Sequence, residues 1–214
     1  MSDLVPATVI AHGPSRSFPE EKSPLGSSVD GAEIVVHLGD PKPDAELQMG
    51  TVCTLIELGT SSLGAYTGEG LGDEGDSRIG FARWRLGDDP PSRLIELVVQ
   101  SRTSASAISA ATELFAAAGF EVSPCQDRTG RILDRLLRPY FNDALRALDD
   151  GVASGPDLDK TVRLGLGYPE GPLELLLRSG LHHHCEITEA LYRSIGTSSF
   201  APPRRAIVAS ERHQ

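Results

Sequence analysis

The first half of the chain consists of short apolar runs separated by turn residues. The runs are rich in Val, Ile and aromatic residues and are bounded by Gly, Pro or Asp, as β-strands require. Because the runs are continuously apolar rather than alternating, they predict a sheet that is covered on both faces. We expect these strands at residues 7–11, 33–38, 52–58, 79–84 and 94–99.

Residues 104–118 change to a helical pattern. This Ala-rich segment places Ile108, Leu114 and Phe115 at helical spacing, and Gly119 follows as a helix-ending residue. A further apolar run at 120–125 predicts another strand. The order strand, helix, strand is that of a βαβ unit and favours parallel pairing of the two strands.

From Gly130 onward the whole chain has helical periodicity. A wide apolar stripe runs from Ile132 to Leu148, and Pro139 is expected to interrupt and kink that helix, at a cost of about 3 kcal/mol. Ser154 is the expected N-cap of the next helix, which Gly165 and Gly167 would end. Further helices are expected from Gly171 and over 181–193.

The pattern therefore predicts an α/β region followed by an all-α region. We place the α/β domain at residues 1–127, the helical domain at 128–200 and a loose basic tail at 201–214. A length of 214 residues suits one or two domains with a real hydrophobic core.

Charge and cysteine content limit the partners and the cellular compartment that we expect for this chain. The net charge of −10 makes a nucleic-acid partner unfavourable. The three cysteines, Cys53, Cys125 and Cys185, are odd in number and far apart, which favours buried thiols in a reducing compartment. The first residues have neither a basic segment nor a long apolar one. We therefore expect no signal peptide, no membrane span and a cytoplasmic protein.

Three adjacent motifs in the helical half carry a family resemblance. They are DRLLRPYFNDA at 134–144, GVAS at 151–154 and RLGLGYPEGPLE at 163–174. Together they closely resemble the C-terminal domain of the NAD-dependent 3-hydroxyacyl-CoA dehydrogenases, which pair a Rossmann domain with a helical domain that dimerises. LIELV at 94–98 also resembles a strand of that family. The resemblance implies a truncated, degenerate Rossmann-like parallel sheet before a helical dimerisation domain, and a link to fatty-acid-type acyl-CoA metabolism.

The resemblance also indicates where catalytic residues would lie. The family's general base, a His before the Leu-Val-Glu strand, corresponds to Ala82, with the register open by a residue or two. Glu96 matches the Glu that orients that His, and its alternative is a plain polar residue at a strand end. Asp134 stands where the family has an Asn near the substrate. The alternative for Asp134 is an i,i+4 ion pair with Arg138, which we favour.

The sequence lacks a convincing dinucleotide-binding loop. A Rossmann fingerprint follows the first strand and opens a helix, but here His12-Gly13-Pro14-Ser15 follows it. The string from Gly70 to Gly75 matches GxGxxG but has no apolar strand before it and no helix after it. We expect no cofactor for the isolated chain, and NAD only if the family activity is retained.

Two groups of histidines offer other chemistry. The run His182-His183-His184-Cys185-Glu186 suggests a metal site, but adjacent helical residues point about 100° apart, so we expect a polar patch instead. His12 and His37 lie at strand ends, where α/β sheets bind ligands. Either could replace the missing base, although the commoner role is a satisfied histidine in or near the core.

Three functions remain open at this point. The chain is an active oxidoreductase on a 3-hydroxyacyl-CoA, a non-catalytic relative that dimerises with itself or with a complete 3-hydroxyacyl-CoA dehydrogenase, or an enzyme for a different reaction on the same scaffold. We favour the second. An acyl-CoA is a candidate ligand, and neither a nucleic acid nor a membrane is an expected partner.

Overall fold

The computed structural model describes residues 5–20, 24–26, 28–68 and 74–213, and it divides into two compact units. The α/β unit comprises the chain up to Arg85 together with Pro91–Arg131. The helical unit comprises Leu86–Pro90 and the chain from Ile132 onward. This confirms the predicted fold class, an α/β part followed by an all-α part.

The α/β unit is built on a six-stranded sheet. Its strands are β1 (Thr8–Ala11), β2 (Ile34–Leu38), β3 (Cys53–Glu57), β4 (Arg78–Arg83), β5 (Leu94–Val99) and β6 (Glu121–Gln126). They lie side by side in chain order. Neighbours are parallel except β4 and β5, which are antiparallel. The expected parallel pairing of β5 with β6 is confirmed.

Strand order separates this sheet from a complete doubly wound one. A Rossmann sheet reverses its strand order at one point, and the dinucleotide binds at that reversal. Among the described strands the order never reverses. The sheet is therefore Rossmann-like in its parallel strands but lacks the crevice that a reversal creates.

Both faces of the sheet are covered, as the continuous apolar runs predicted. On one face, α2 (Ala105–Ala117) packs Leu114 and Phe115 over Leu55 and Phe81. On the other face, the segment with the short helix α1 (Gly64–Thr67) covers Ile56 and Val98. Ser104 caps α2, because its hydroxyl accepts a hydrogen bond from the Ala107 N–H at 3.2 Å.

The helical unit contains five helices and one 3₁₀ turn among the described residues. They are α3 (Leu133–Asp149), α4 (Gly155–Leu166), α5 (Pro172–Ser179), α6 (Leu181–Ile195), the 3₁₀ turn Ser198–Phe200, and α7 (Arg204–His213). Ser154 caps α4 as predicted. Helix α3 runs through Pro139, so the predicted interruption was wrong. Of the two glycines predicted to end α4, Gly165 lies within the helix, and Gly167, whose φ is +72°, is its C-cap, so only the prediction for Gly167 is confirmed.

The prediction of a loose tail over 201–214 was also wrong. Residues 204–213 form α7, which packs against α6 and buries Ala206 completely. Arg205 forms an ion pair with Asp149 at the end of α3. Pro203 precedes the helix and favours its start, but the apolar stripe is too short to be read from the sequence. None of the described helices is both long and apolar enough to cross a membrane.

Candidate functional site

Ala82, which we predicted at the position of the family's base, lies directly beside Glu96. In the antiparallel register of β4 and β5, Ala82 is the cross-strand partner of Glu96. Both are buried, with 4% and 1% of their surface exposed. General base catalysis needs an ionisable group in reach of the substrate proton, and a methyl group at position 82 supplies none.

Glu96 is engaged by an arginine that sequence reasoning missed. The Arg131 Nε–H donates to Glu96 Oε2 at 3.2 Å, and its Nη1 donates to the Gly59 carbonyl at 3.1 Å. Arg131 has φ +49°, an uncommon value for a residue other than Gly. The Glu96 carboxylate therefore forms an ion pair with Arg131. The alternative prediction, a plain polar residue at a strand end, did not include such a partner. Nothing in the sequence links positions 35 residues apart.

The loops at the carboxyl ends of β1 and β2 are held by a carboxylate of the chain itself. The Ser17 N–H donates to Glu57 Oε1 at 2.7 Å, and the Gly39 N–H donates to Glu57 Oε2 at 2.6 Å. Glu57 is 2% exposed. In a dinucleotide site, such backbone donors bind the pyrophosphate. Here they already bind an internal anion.

The loops that follow β1 and β2 also leave little space between them. A Cβ added to Gly39 would lie 2.5 Å from the Gly13 carbonyl oxygen, so the two loops touch. Pro14, next along the chain, has no N–H to offer. The described residues of this edge therefore do not fit a bound dinucleotide.

The GxGxxG-like string lies mostly outside the described residues, at 70–73. Its last two residues, Glu74 and Gly75, are described, and β4 begins at Arg78 shortly after them. A phosphate-binding loop opens a helix, and this string is followed by a strand. The structural context expected for a dinucleotide site is therefore absent after the string.

His12 and His37, considered separately from sequence, form a pair. The His37 ring is buried, and its Nε2–H donates to the Gln48 carbonyl at 2.8 Å, which leaves Nδ1 as an acceptor. The His12 Nε2 lies 2.8 Å from that Nδ1 and donates to it. Burial lowers the pKa of His37, and His12 lowers it further. The exposed His12 is thus oriented by His37, and its Nδ1 has no hydrogen-bond partner among the described residues.

Asp134 belongs to a buried polar network in the helical unit. Arg138 Nε donates to Asp134 Oδ1 at 2.7 Å, which confirms the predicted i,i+4 ion pair. Arg138 Nη1 donates to His184 Nδ1 at 3.1 Å, and His184 Nε2–H donates to Asn142 Oδ1 at 2.8 Å. Burial, with a smaller effect of Arg138, lowers the pKa of His184 to about 3. His184 therefore stays neutral and joins α6 to α3.

The three adjacent histidines do not converge on one point: His184 lies apart from the other two, whereas the rings of His182 and His183 are 4.0 Å apart between centroids. His184 points into the network just described. The His182 ring stacks on His213 with 3.7 Å between centroids, and His183 Nε2 lies 3.3 Å from Asp88 Oδ2. No cluster of three or more metal-ligating side chains occurs within the described part of the chain.

The three cysteines are free within the described chain, and two of them, Cys53 and Cys185, are buried. Burial raises the pKa of the Cys53 thiol to about 12 and that of Cys125 to about 11. Thiols with such pKa values are poor nucleophiles near neutral pH. They do not add a reactive cysteine to the site.

Comparison with known proteins connects this architecture to one family. Residues 130–212 match the family model of the 3-hydroxyacyl-CoA dehydrogenase C-terminal domain. A probable 3-hydroxyacyl-CoA dehydrogenase of Caenorhabditis elegans is 37% identical over 122 residues, covering 57% of this chain and 39% of that protein. A 3-hydroxybutyryl-CoA dehydrogenase of Mycobacterium tuberculosis is 35% identical over 116 residues, covering 53% and 40%. The matches span about two fifths of these relatives' length.

Solved structures show the same fold at lower identity. The crystal structure of M. tuberculosis FadB2 matches with a TM-score of 0.68 at 22% identity, covering 85% of this chain and 66% of that one. The (S)-3-hydroxybutyryl-CoA dehydrogenase of Ralstonia eutropha matches with a TM-score of 0.65 at 21% identity, covering 87% and 68%. The helical part of the chain, residues 130–212, thus matches the C-terminal domain of the 3-hydroxyacyl-CoA dehydrogenases.

Proposed function

We propose that this chain acts in fatty-acid-type acyl-CoA metabolism as a dimerising or partner subunit that does not itself dehydrogenate a 3-hydroxyacyl-CoA. The observation that carries the proposal is the pair of Ala82 and Glu96. The position that would hold the base has a methyl group, and the glutamate that would orient a base binds Arg131 instead.

The chemistry of the reaction explains why this pair matters. Dehydrogenation of a secondary alcohol needs a base for the hydroxyl proton and an acceptor for the hydride. NAD supplies that acceptor when it is bound. In this chain the backbone donors of Ser17 and Gly39 are taken by Glu57, which supports the same proposal from the cofactor side.

Two measurements on the purified chain test the proposal. Calorimetry is expected to detect no NAD binding below millimolar concentration, because the loop donors are already occupied. NADH oxidation with acetoacetyl-CoA is expected to be absent. Micromolar NAD binding, or turnover above about 1 per second, the low end of typical enzymes, would instead establish an active oxidoreductase.

An acyl-CoA remains a candidate ligand because of one unsatisfied donor. Arg138 is 1% exposed, and its Nη2 is buried with no hydrogen-bond partner among the described residues. It lies on the side chain that binds Asp134, the position that matches the family's substrate-region Asn. An orphaned buried donor costs about 1–3 kcal/mol, and a bound carbonyl group would remove that cost.

The partner surface of the helical unit is an exposed apolar patch. Leu164 and Leu166, at the end of α4, are 78% and 65% exposed, and Tyr168 just beyond them is 47% exposed. Leu136 of α3 is 66% exposed. Concentrated apolar exposure of this kind is typical of protein–protein interfaces. We assign the patch to contact with a second copy or with a complete 3-hydroxyacyl-CoA dehydrogenase.

Sedimentation tests this assignment. The wild-type chain is expected to form a dimer at micromolar concentration, and Leu164→Glu combined with Leu166→Glu is expected to make it monomeric. Arg193→Glu, an exposed change of charge on α6, serves as the control and should leave the dimer intact. The proposed partner role would be contradicted by two results together. The wild-type chain would sediment as a monomer, and co-purification from its host would recover no complete dehydrogenase.

The His12–His37 pair favours a second candidate, a different reaction on the same scaffold. In the described part of the chain the His12 Nδ1 has no hydrogen-bond partner, and His37 orients the ring, as a general base in a lyase or hydrolase step would need. Mass spectrometry of 3-hydroxyacyl-CoA and enoyl-CoA incubated with the chain would detect such a step. The conversion should disappear in His12→Gln, and an unchanged substrate with the wild-type chain rules this candidate out.

A further inference from the structure

A groove of about 380 Å³ runs through the helical unit between α7 and the helices α3 and α5. Its apolar wall contains Leu145 and Leu148 of α3 and Leu173 and Leu177 of α5. The volume lies within the range of about 300–1,000 Å³ that small-molecule sites occupy. The groove belongs to neither the Ala82–Glu96 pair nor the exposed patch at the end of α4.

The leucines divide into a floor and a rim. Leu145 and Leu173 are 1% and 2% exposed and form the floor, whereas Leu177 is 67% exposed at the edge. Such a surface is stabilised by any apolar chain that lies on it, because water is released from both.

Helix α7 lines the opposite wall with positive charge. Arg204, Arg205 and Arg212 all face the groove. Arg205 is neutralised by its ion pair with Asp149. For Arg204 and Arg212, the described residues provide no ion-pair partner. They are eight residues apart, so they stand about 12 Å apart along the helix, one at each end of the groove.

We infer that this groove binds an aliphatic carboxylate. The alkyl chain lies on the leucine floor, and the carboxylate meets Arg204 or Arg212 at one end of the groove. Arginine is suited to this role because its planar guanidinium donates two parallel hydrogen bonds to a carboxylate. The occupant is thus a free fatty carboxylate rather than a thioester, since a thioester has no charged group at the end of its chain.

Calorimetric titration of the full chain tests the inference, with decanoate as the probe below its micelle concentration. We expect saturable binding at submillimolar concentration. Octanoate should bind about tenfold more weakly, because each buried methylene tightens binding by up to about fourfold. Decanol and decanoyl-CoA should bind at least tenfold more weakly than decanoate.

Matched variants locate the carboxylate. Either Arg204→Gln or Arg212→Gln is expected to weaken decanoate binding at least tenfold. Arg193→Gln, an exposed change on α6 outside the groove, should have no effect. These residues lie on the surface, so the variants are expected to fold, and circular dichroism checks this.

Three results would overturn the inference. They are the absence of saturable decanoate binding at millimolar concentration, equal binding of decanol or of decanoyl-CoA, and unchanged affinity in both arginine variants. A groove covered by a second copy would appear as a dimer that Leu177→Asp dissociates, with no decanoate bound. None of these measurements involves NAD or dehydrogenation, so the inference and the proposed function can fail separately.

Discussion

At the scale of single residues, Glu57 organises one edge of the sheet. Its carboxylate ties the loop after β1 and the loop after β2 to the end of β3 through two short hydrogen bonds from backbone N–H groups. Hydrogen bonds to an ionised acceptor are stronger than neutral ones. Because Glu57 is buried, removing its acceptors would leave the Ser17 and Gly39 donors without a partner.

Glu57→Gln is therefore expected to destabilise the α/β unit by about 1–3 kcal/mol. The amide keeps one acceptor but places an NH₂ group against a backbone donor. Urea unfolding followed by the fluorescence of Trp84, the only tryptophan, measures the effect. Glu33→Gln, at an exposed position just before β2, is the control. Equal unfolding midpoints in the two variants would show that Glu57 does not hold the loops together.

His184 makes the helical unit sensitive to acid. Its pKa is lowered to about 3 in the folded chain, while an unfolded histidine has a pKa near 6.5. Between these values the unfolded chain binds the extra proton. The contribution of His184 to the free energy of unfolding is therefore fully present above about pH 6.5 and is lost as the pH falls toward 3.

Between pH 7.5 and pH 5 this linkage is expected to cost about 2 kcal/mol of unfolding free energy. Urea unfolding followed by helical circular dichroism measures the loss, and His184→Gln should reduce it. NMR titration of the His184 ring in the wild-type chain gives an independent check that does not depend on the variant. Protonation of that ring above pH 5 would contradict the prediction.

At the scale of elements, α4 and α5 are joined by a cap that requires glycine. Asp159 of α4 accepts hydrogen bonds from the Leu173 and Glu174 N–H groups at 2.8 and 3.0 Å, which caps the start of α5. A Cβ on Gly171 would lie 2.2 Å from the Asp159 Cβ. The Gly-Pro pair at 171–172 thus allows the two helices to approach.

Two glycine variants provide a matched test of this packing. Gly171→Ala is expected to destabilise the helical unit by about 1–3 kcal/mol through the clash with Asp159. Gly165→Ala lies within α4, where an added Cβ meets nothing within 4 Å, and should be neutral or stabilising by up to about 1 kcal/mol. Thermal unfolding of both variants measures their stability. A similar decrease in stability in the two variants would count against the packing argument.

The type of each helix or strand could be predicted because periodicity is a local property of the sequence. Contacts between side chains were less predictable because they join residues that are distant in the sequence. The strands, α2 and the cap at Ser154 all follow from short stretches of sequence. Arg131 was missed because its partners Glu96 and Gly59 are distant in the chain, and α7 was missed because its stripe is short. The pairing of His12 with His37 needed the register of β1 with β2, which a single sequence does not specify.

At the scale of the molecule, the division into two units was predicted near residue 128, and the structure places it at 131 with one exception. Residues 86–90, between β4 and β5, belong to the helical unit. Within that unit, Arg178 of α5 binds Asp89 at 2.6 Å, and a Cβ on Gly87 would collide with the Ser179 carbonyl. No local pattern of sequence assigns these five residues to a unit whose main part begins at Ile132, 42 residues after Pro90.

The strand order of the sheet has a consequence for how the chain folds. Because β1 to β6 lie in the order in which they are synthesised, each strand docks beside the one made just before it. Contacts between neighbouring segments close short loops, which lowers the entropic cost of folding and raises its rate. We therefore expect the sheet to grow strand by strand on the ribosome, with β1 as the template and β6 as the last addition.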